Sequence, residues 1–164
     1  MLQVMYFEDL IKLFYSNLKI TGVGNLCTEV REKKIKITPP DWLTFAHLKY
    51  QGQKLTSSNF PEELNYDHDK ALTSMIRLQM HDQNIRNGRS LNINDRLFHY
   101  IFVHILSLGA NNFAQLLHED IFMLWAIKNN VLINWPHYIM YHMIKCLDNN
   151  MLLPYNILIT RIMA

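Results

Sequence analysis

The chain has 164 residues, 49% of them hydrophobic and 18% charged, with a net charge of +2 and two cysteines. That length can bury roughly two thirds of the unfolded chain's surface without a metal or disulfide, and the composition excludes disorder as a whole-chain state. The longest clean apolar run, Ile121 to Ile127, falls well short of the ~18 residues of a membrane helix, and the small net charge is no sign of a nucleic-acid partner.

Cys27 and Cys146 fit no zinc spacing and read as free thiols of a reducing compartment. The opening MLQVMYFEDL carries acids where a secretory signal would carry bases, so an intracellular site, cytoplasm or nucleus, is expected.

In chain order, residues 4 to 18 place Met5, Leu10, Leu13, Phe14 and Leu18 on one stripe at the i, i+3, i+4 spacing of an amphipathic helix. Thr21 to Asn25, with two glycines, breaks it. Residues 26 to 37 then alternate Lys34, Ile35, Lys36 and Ile37 opposite Cys27, Val30 and Arg31, which predicts a short β-hairpin turning at Glu32-Lys33. Thr38-Pro39-Pro40-Asp41 opens a helix to about Leu48, because proline loses nothing in a first turn and aspartate suits the positive end of the helix dipole.

Tyr50 to Pro61 reads as a loop, Asp67 to His81 as a helix, and residues 84 to 94 as a second loop. Asn94 or Asp95 caps a helix reaching about Leu106 and stopped by Gly109. A helix over LLHEDIFMLWAIKNN ends near Asn129-Asn130, one opened by Ile133-Asn134-Trp135-Pro136 lasts to Leu147, and one opened by Leu153-Pro154 covers Tyr155 to Ile162. The fold class is mostly α: a single domain over residues 1 to 164, with six or seven helices and one N-terminal hairpin.

Charge is unevenly placed. Residues 1 to 96 hold 13 Lys/Arg and 11 Asp/Glu, whereas the 68 residues from Leu97 on hold three of each. A solvent-facing helix keeps a polar side, so this C-terminal part either forms the buried centre or presents an apolar surface to a partner.

Eight histidines raise the question of a metal or catalytic site, above all HYIFVH at 99 to 104 and HYIMYH at 137 to 142. Zinc-binding helical histidines sit at i and i+4, about 40° apart; at i and i+5 the separation is about 140°. Neither His99 with His104 nor His137 with His142 can chelate from one helix. His118-Glu119 lacks the second histidine of a zinc-protease motif, since position 122 is Phe122. A site drawn from His104, His142 and Glu119 is the remaining arrangement, and core packing is the reading preferred over it. TGVGN lacks the Lys-Ser/Thr of a phosphate loop, no Gly-x-Ser-x-Gly is present, and Asp41, Asp67 and Asp95 read as helix starts. No catalytic residue, metal or cofactor is expected.

Arg31, Lys33, Lys34 and Lys36 against Glu32 make a local +3 that can grip phosphates; lysines on an exposed edge strand also deter aggregation, and that reading is preferred.

FYSNL at 14 to 18, VREKKIKITP at 30 to 39, NDRLFHY at 94 to 100, EDIFMLWA at 119 to 126, INWPHYI at 133 to 139 and LPYNILITRI at 153 to 162 occur in this order. Together they resemble the plant transposon protein domain family of retroelement-derived open reading frames. The resemblance implies retroelement origin and supplies no catalytic residue; Asn156 stands where relatives often have glycine. Relatives often continue beyond the position of Ile162, so the resemblance implies a fragment of a longer protein or a degenerate copy. The functional expectation is a non-enzymatic module acting by protein association or self-association, with nucleic-acid binding through residues 31 to 36 as the alternative.

Overall fold

The computed structural model describes residues 8–22, 24–56, 62–76, 87–106 and 114–163. Among the described residues seven α-helices and one three-stranded antiparallel sheet make the fold mostly α, as periodicity predicts. Contacts group the chain into two compact units, Met1–Gln51 with Asn134–Ala164, and Gly52–Ile133.

In the first unit α1 (Glu8–Ser16) buries Ile11, Phe14 and Tyr15, continued by Leu18. The expected stripe is thus rotated: Leu10 is half-buried and Leu13 exposed, and Met5 lies outside the described residues. Tyr15 takes the inner face because its hydroxyl donates to the Pro154 carbonyl at 2.6 Å, which pairs that buried oxygen.

The sheet has the order β1 (Lys19–Thr21), β2 (Asn25–Val30), β3 (Lys33–Ile37). Two corrections follow. The expected hairpin gains a third strand, pairing Lys19 with Cys27 and Thr21 with Asn25. The β2–β3 turn lies at Arg31-Glu32, one residue earlier than expected, since Val30 pairs with Lys33; both turn residues have positive φ (49° and 67°), as a two-residue turn matched to strand twist requires. Leu26, Thr28, Val30 and Ile37 face inward against α1, and Thr28 Oγ1 donates to the Phe14 carbonyl. Gly24, at φ +78°, lies against the Tyr50 ring so closely that a Cβ would sit 2.1 Å from its hydroxyl.

α2 (Pro39–Ala46) starts where expected, with Asp41 accepting from the Thr38 N–H and hydroxyl; these bonds hold its carboxyl below the usual range. α6 (Trp135–Asp148) and α7 (Asn156–Met163) complete this unit, and α7 packs on α1 and α2. Asn134, 2% exposed, caps α6 by accepting from the His137 N–H at 3.1 Å, while Pro136 occupies the first turn. Asn134→Ala is expected to cost about 1–2 kcal/mol, read as a lower urea midpoint at unchanged slope.

In the second unit α3 (His68–Met75) begins on an Asp67 cap and ends six residues before the expected His81. Ile76 turns extended to bridge Leu91, and the Asn92 N–H donates to the Met75 carbonyl, so pairing outcompetes the helix; the rest of that expected helix lies outside the described residues. α4 (Ile93–Ile101) is capped by Asn92, which accepts from the Asp95 N–H, not by Asn94 or Asp95, and passes into a π-helical turn over Phe102–Leu106. The expected stop at Gly109 lies outside the described residues. α5 (His118–Lys128) buries every residue from Glu119 to Leu124 as well as Ala126. Ala71, Met75, Leu91, Leu116, Ile121 and Leu124 form one core cluster, flanked by Tyr66, Leu72 and Trp125. Gly52, at φ +100°, backs onto the Leu132 carbonyl, where a Cβ would stand 2.3 Å away; that approach lets the Gln53 N–H donate to the same oxygen. Among the described residues no helix is long and apolar enough to cross a membrane.

Candidate functional site

Three groups of histidines can be weighed as chemistry. In α4 His99 is buried, and in the π-helical turn that follows His104 is half-buried against Tyr100, ring centroids 4.2 Å apart. Gly88 makes room for the His99 ring, since a Cβ there would lie 3.1 Å from Nδ1. His99 Nε2 stands 3.5 Å from Asp120 Oδ2, close enough for attraction but without hydrogen-bond alignment, and the buried nitrogen has no bonding partner among the described residues. Asp120 Oδ2 is committed to the Leu117 N–H at 2.8 Å, the start of α5. A histidine beside a carboxylate is two thirds of a hydrolytic triad, but among the described residues no nucleophilic side chain is bonded to His99.

His68 and His118 stack face to face at 3.9 Å, 8° from parallel, and the Tyr66 hydroxyl lies 3.1 Å from His68 Nδ1. They line a cavity of about 170 Å³ together with Leu72, Gln115, Leu116, Leu117 and Ile121. Imidazole lone pairs lie in the ring plane, so stacked rings aim them side by side rather than at one ion. The cavity is also smaller than the ~300 Å³ at which ligand pockets begin.

In α6 His137 is half-buried and His142 buried. His142 Nδ1 lies 3.1 Å from the Tyr155 hydroxyl and Nε2 3.7 Å from Cys146 Sγ, and the ring stacks on Tyr138. Burial, reinforced by the charge of Lys145, lowers its pKa to about 4, so the ring is neutral at pH 7, bonded to Tyr155 at Nδ1 and lying against the sulfur at Nε2. A cysteine beside a histidine is a nucleophile pattern, yet Cys146 is fully buried and a reactive thiol needs access. His142 belongs to the first unit, His104 and Glu119 to the second. Among the described residues no three His, Cys, Asp or Glu side chains could hold a metal ion.

The basic residues are all exposed: Arg31 in the turn, Lys33 at the start of β3, and Lys34 and Lys36 further along it.

A fourth arrangement is of another kind. The buried residues of α4 are Asp95 and His99, while Ile93, Leu97, Phe98, Tyr100 and Ile101 are 40–69% exposed. The helix is amphipathic with its polar side turned inward. Lys128 Nζ reaches Asp95 Oδ2 at 2.9 Å and Asn92 Nδ2 donates to the same oxygen, so the inner face is held by ions and hydrogen bonds. Ile93, Leu97, Tyr100 and Ile101, at i, i+4, i+7 and i+8, make one outward stripe. Ile105 in the π-helical turn, itself 58% exposed, follows it.

No family model, curated protein or solved structure matches the chain.

The outward stripe escapes a reading of sequence because periodicity finds an amphipathic helix without saying which side faces in. The available signal is the deficit of charge beyond Leu97. Of the two outcomes it allows, α5 and α6 each realise burial within their own unit and α4 the apolar surface.

Proposed function

We propose that the chain is a non-catalytic module of retroelement origin that associates with a second copy of itself through the outward face of α4. The observation that carries this reading is the stripe of Ile93, Leu97, Tyr100 and Ile101, apolar and exposed on a helix whose inner side holds Asp95 and His99. Monomers seldom leave such a contiguous patch in water, because covering it gains about 25 cal/mol per Å². A second copy suits the stripe: none of its members is charged, so two copies can meet about a twofold axis without like charges opposed. The origin rests on the ordered motifs, from FYSNL to LPYNILITRI.

Sedimentation at high micromolar concentration tests the association. A dimer is expected. Leu97→Glu with Ile101→Glu should raise its Kd at least about tenfold, since each carboxylate would be desolvated in the interface without a partner. Far-UV circular dichroism should be unchanged, as both side chains already face solvent. A strictly monomeric parent chain would overturn the reading.

A further inference from the structure

The outer face of the sheet is the strongest remaining feature. Residues paired across strands share a face, and the register sets Lys19 of β1 and Lys36 of β3 on either side of Cys27 of β2. Lys34, opposite Glu29, lies two residues along on that same face. With strands about 4.8 Å apart and about 6.7 Å between alternate residues, three ammonium groups share a patch roughly 10 Å across. Arg31 extends it at the turn, while Lys33, paired with Val30, belongs to the other face.

Three observations give the patch a direction. The sheet holds five cations against Glu29 and Glu32, a net +3 in a chain whose total is +2, so the remainder sums to −1. Lys12, Lys70 and Lys128 each reach a carboxylate, whereas Lys19, Arg31, Lys33, Lys34 and Lys36 form no ion pair among the described residues. The turn presents Arg31 and Glu32 at positive φ, where Asn-Gly would be unstrained.

We infer that this face binds the phosphodiester backbone of duplex nucleic acid without reading its sequence. Its other outward residues are Thr21, Asn25, Cys27 and Glu29, so it offers no aromatic platform for unstacked bases, which favours a backbone over a single strand. It offers no large apolar side chain either, whereas attachment to a bilayer surface grows with inserted apolar area. The inference is independent of association through α4.

Salt dependence decides it. Binding of the full chain to a short fluorescent duplex of arbitrary sequence, followed by anisotropy, should give a slope of log K against log salt of about −4, for four phosphates neutralised. Lys19→Ala with Lys34→Ala and Lys36→Ala should reduce the magnitude of that slope by about 2 to 3. All three side chains are exposed, so circular dichroism should show an unchanged fold. An unchanged slope in the variant, no binding by the parent chain at low salt, or binding to phosphatidylserine vesicles but not to the duplex would each overturn the inference.

Discussion

Acidification from pH 7 to pH 4 is expected to remove about 3 kcal/mol of stability through His142 alone. The ring is desolvated inside the first unit, and its pKa falls from 6.5 to about 4. Each tenfold difference between folded and unfolded states is worth about 1.4 kcal/mol. The folded value lies below the unfolded one, so between about 4 and 6.5 the unfolded chain takes up a proton that the folded chain refuses. Stability from this group is complete above pH 6.5, drains away as pH falls, and is gone below 4. Its structural counterpart is the hydrogen bond between Nδ1 and the Tyr155 hydroxyl, buried with the ring. Tyr155 has φ +61°, a left-handed conformation costly for a bulky residue, and this bond helps to hold it at the entry into α7.

Urea unfolding at several pH values, on the parent chain and on His142→Gln, isolates the contribution, because acids elsewhere titrate alike in both. Parallel curves of stability against pH would contradict it. Should the variant fail to fold, the imidazole resonances of the parent chain give the same answer: His142 should stay neutral to about pH 4, and a midpoint near 6.5 would refute the assignment.

How much of this was legible beforehand depends on whether a residue's environment is local. Proline openings at Pro39-Pro40 and Trp135-Pro136 act within one turn, and α2 and α6 begin where expected. β1 has no such signature: all three of its residues are exposed, so it lacks the alternation that marks a half-buried strand and exists only because β2 offers it an edge. Ile76 leaves α3 for a bridge to Leu91, a partner 15 residues away. Spacing of five separates the members of each histidine pair around its helix. It could not show that His68 stacks on His118, or that His142 meets Tyr155, because those neighbours come from elsewhere in the chain. Asp95 marks the same boundary: it reads as a helix-start acid, and the Asn92 bond supports that, but its burial is decided by Lys128.

That dependence predicts the second large effect. Lys128→Met should cost about 3–5 kcal/mol, out of proportion to a side chain that is 36% exposed, because it strands the Asp95 carboxylate at 3% exposure without its cation. Most of the loss is the desolvation of Asp95 rather than the value of the pair, so neutralising both ends should restore much of it. Asp95→Asn keeps the position polar and near Asn92, and added to Lys128→Met it should yield a variant more stable than Lys128→Met alone. Denaturant unfolding of the two single variants and the double one gives the coupling directly, and at least about 2 kcal/mol is expected. A cost below about 1 kcal/mol for Lys128→Met would mean that Asp95 does not need the cation. The inward polar face of α4 would then lose its main anchor, and with it the physical reason why Ile93, Leu97, Tyr100 and Ile101 are turned outward.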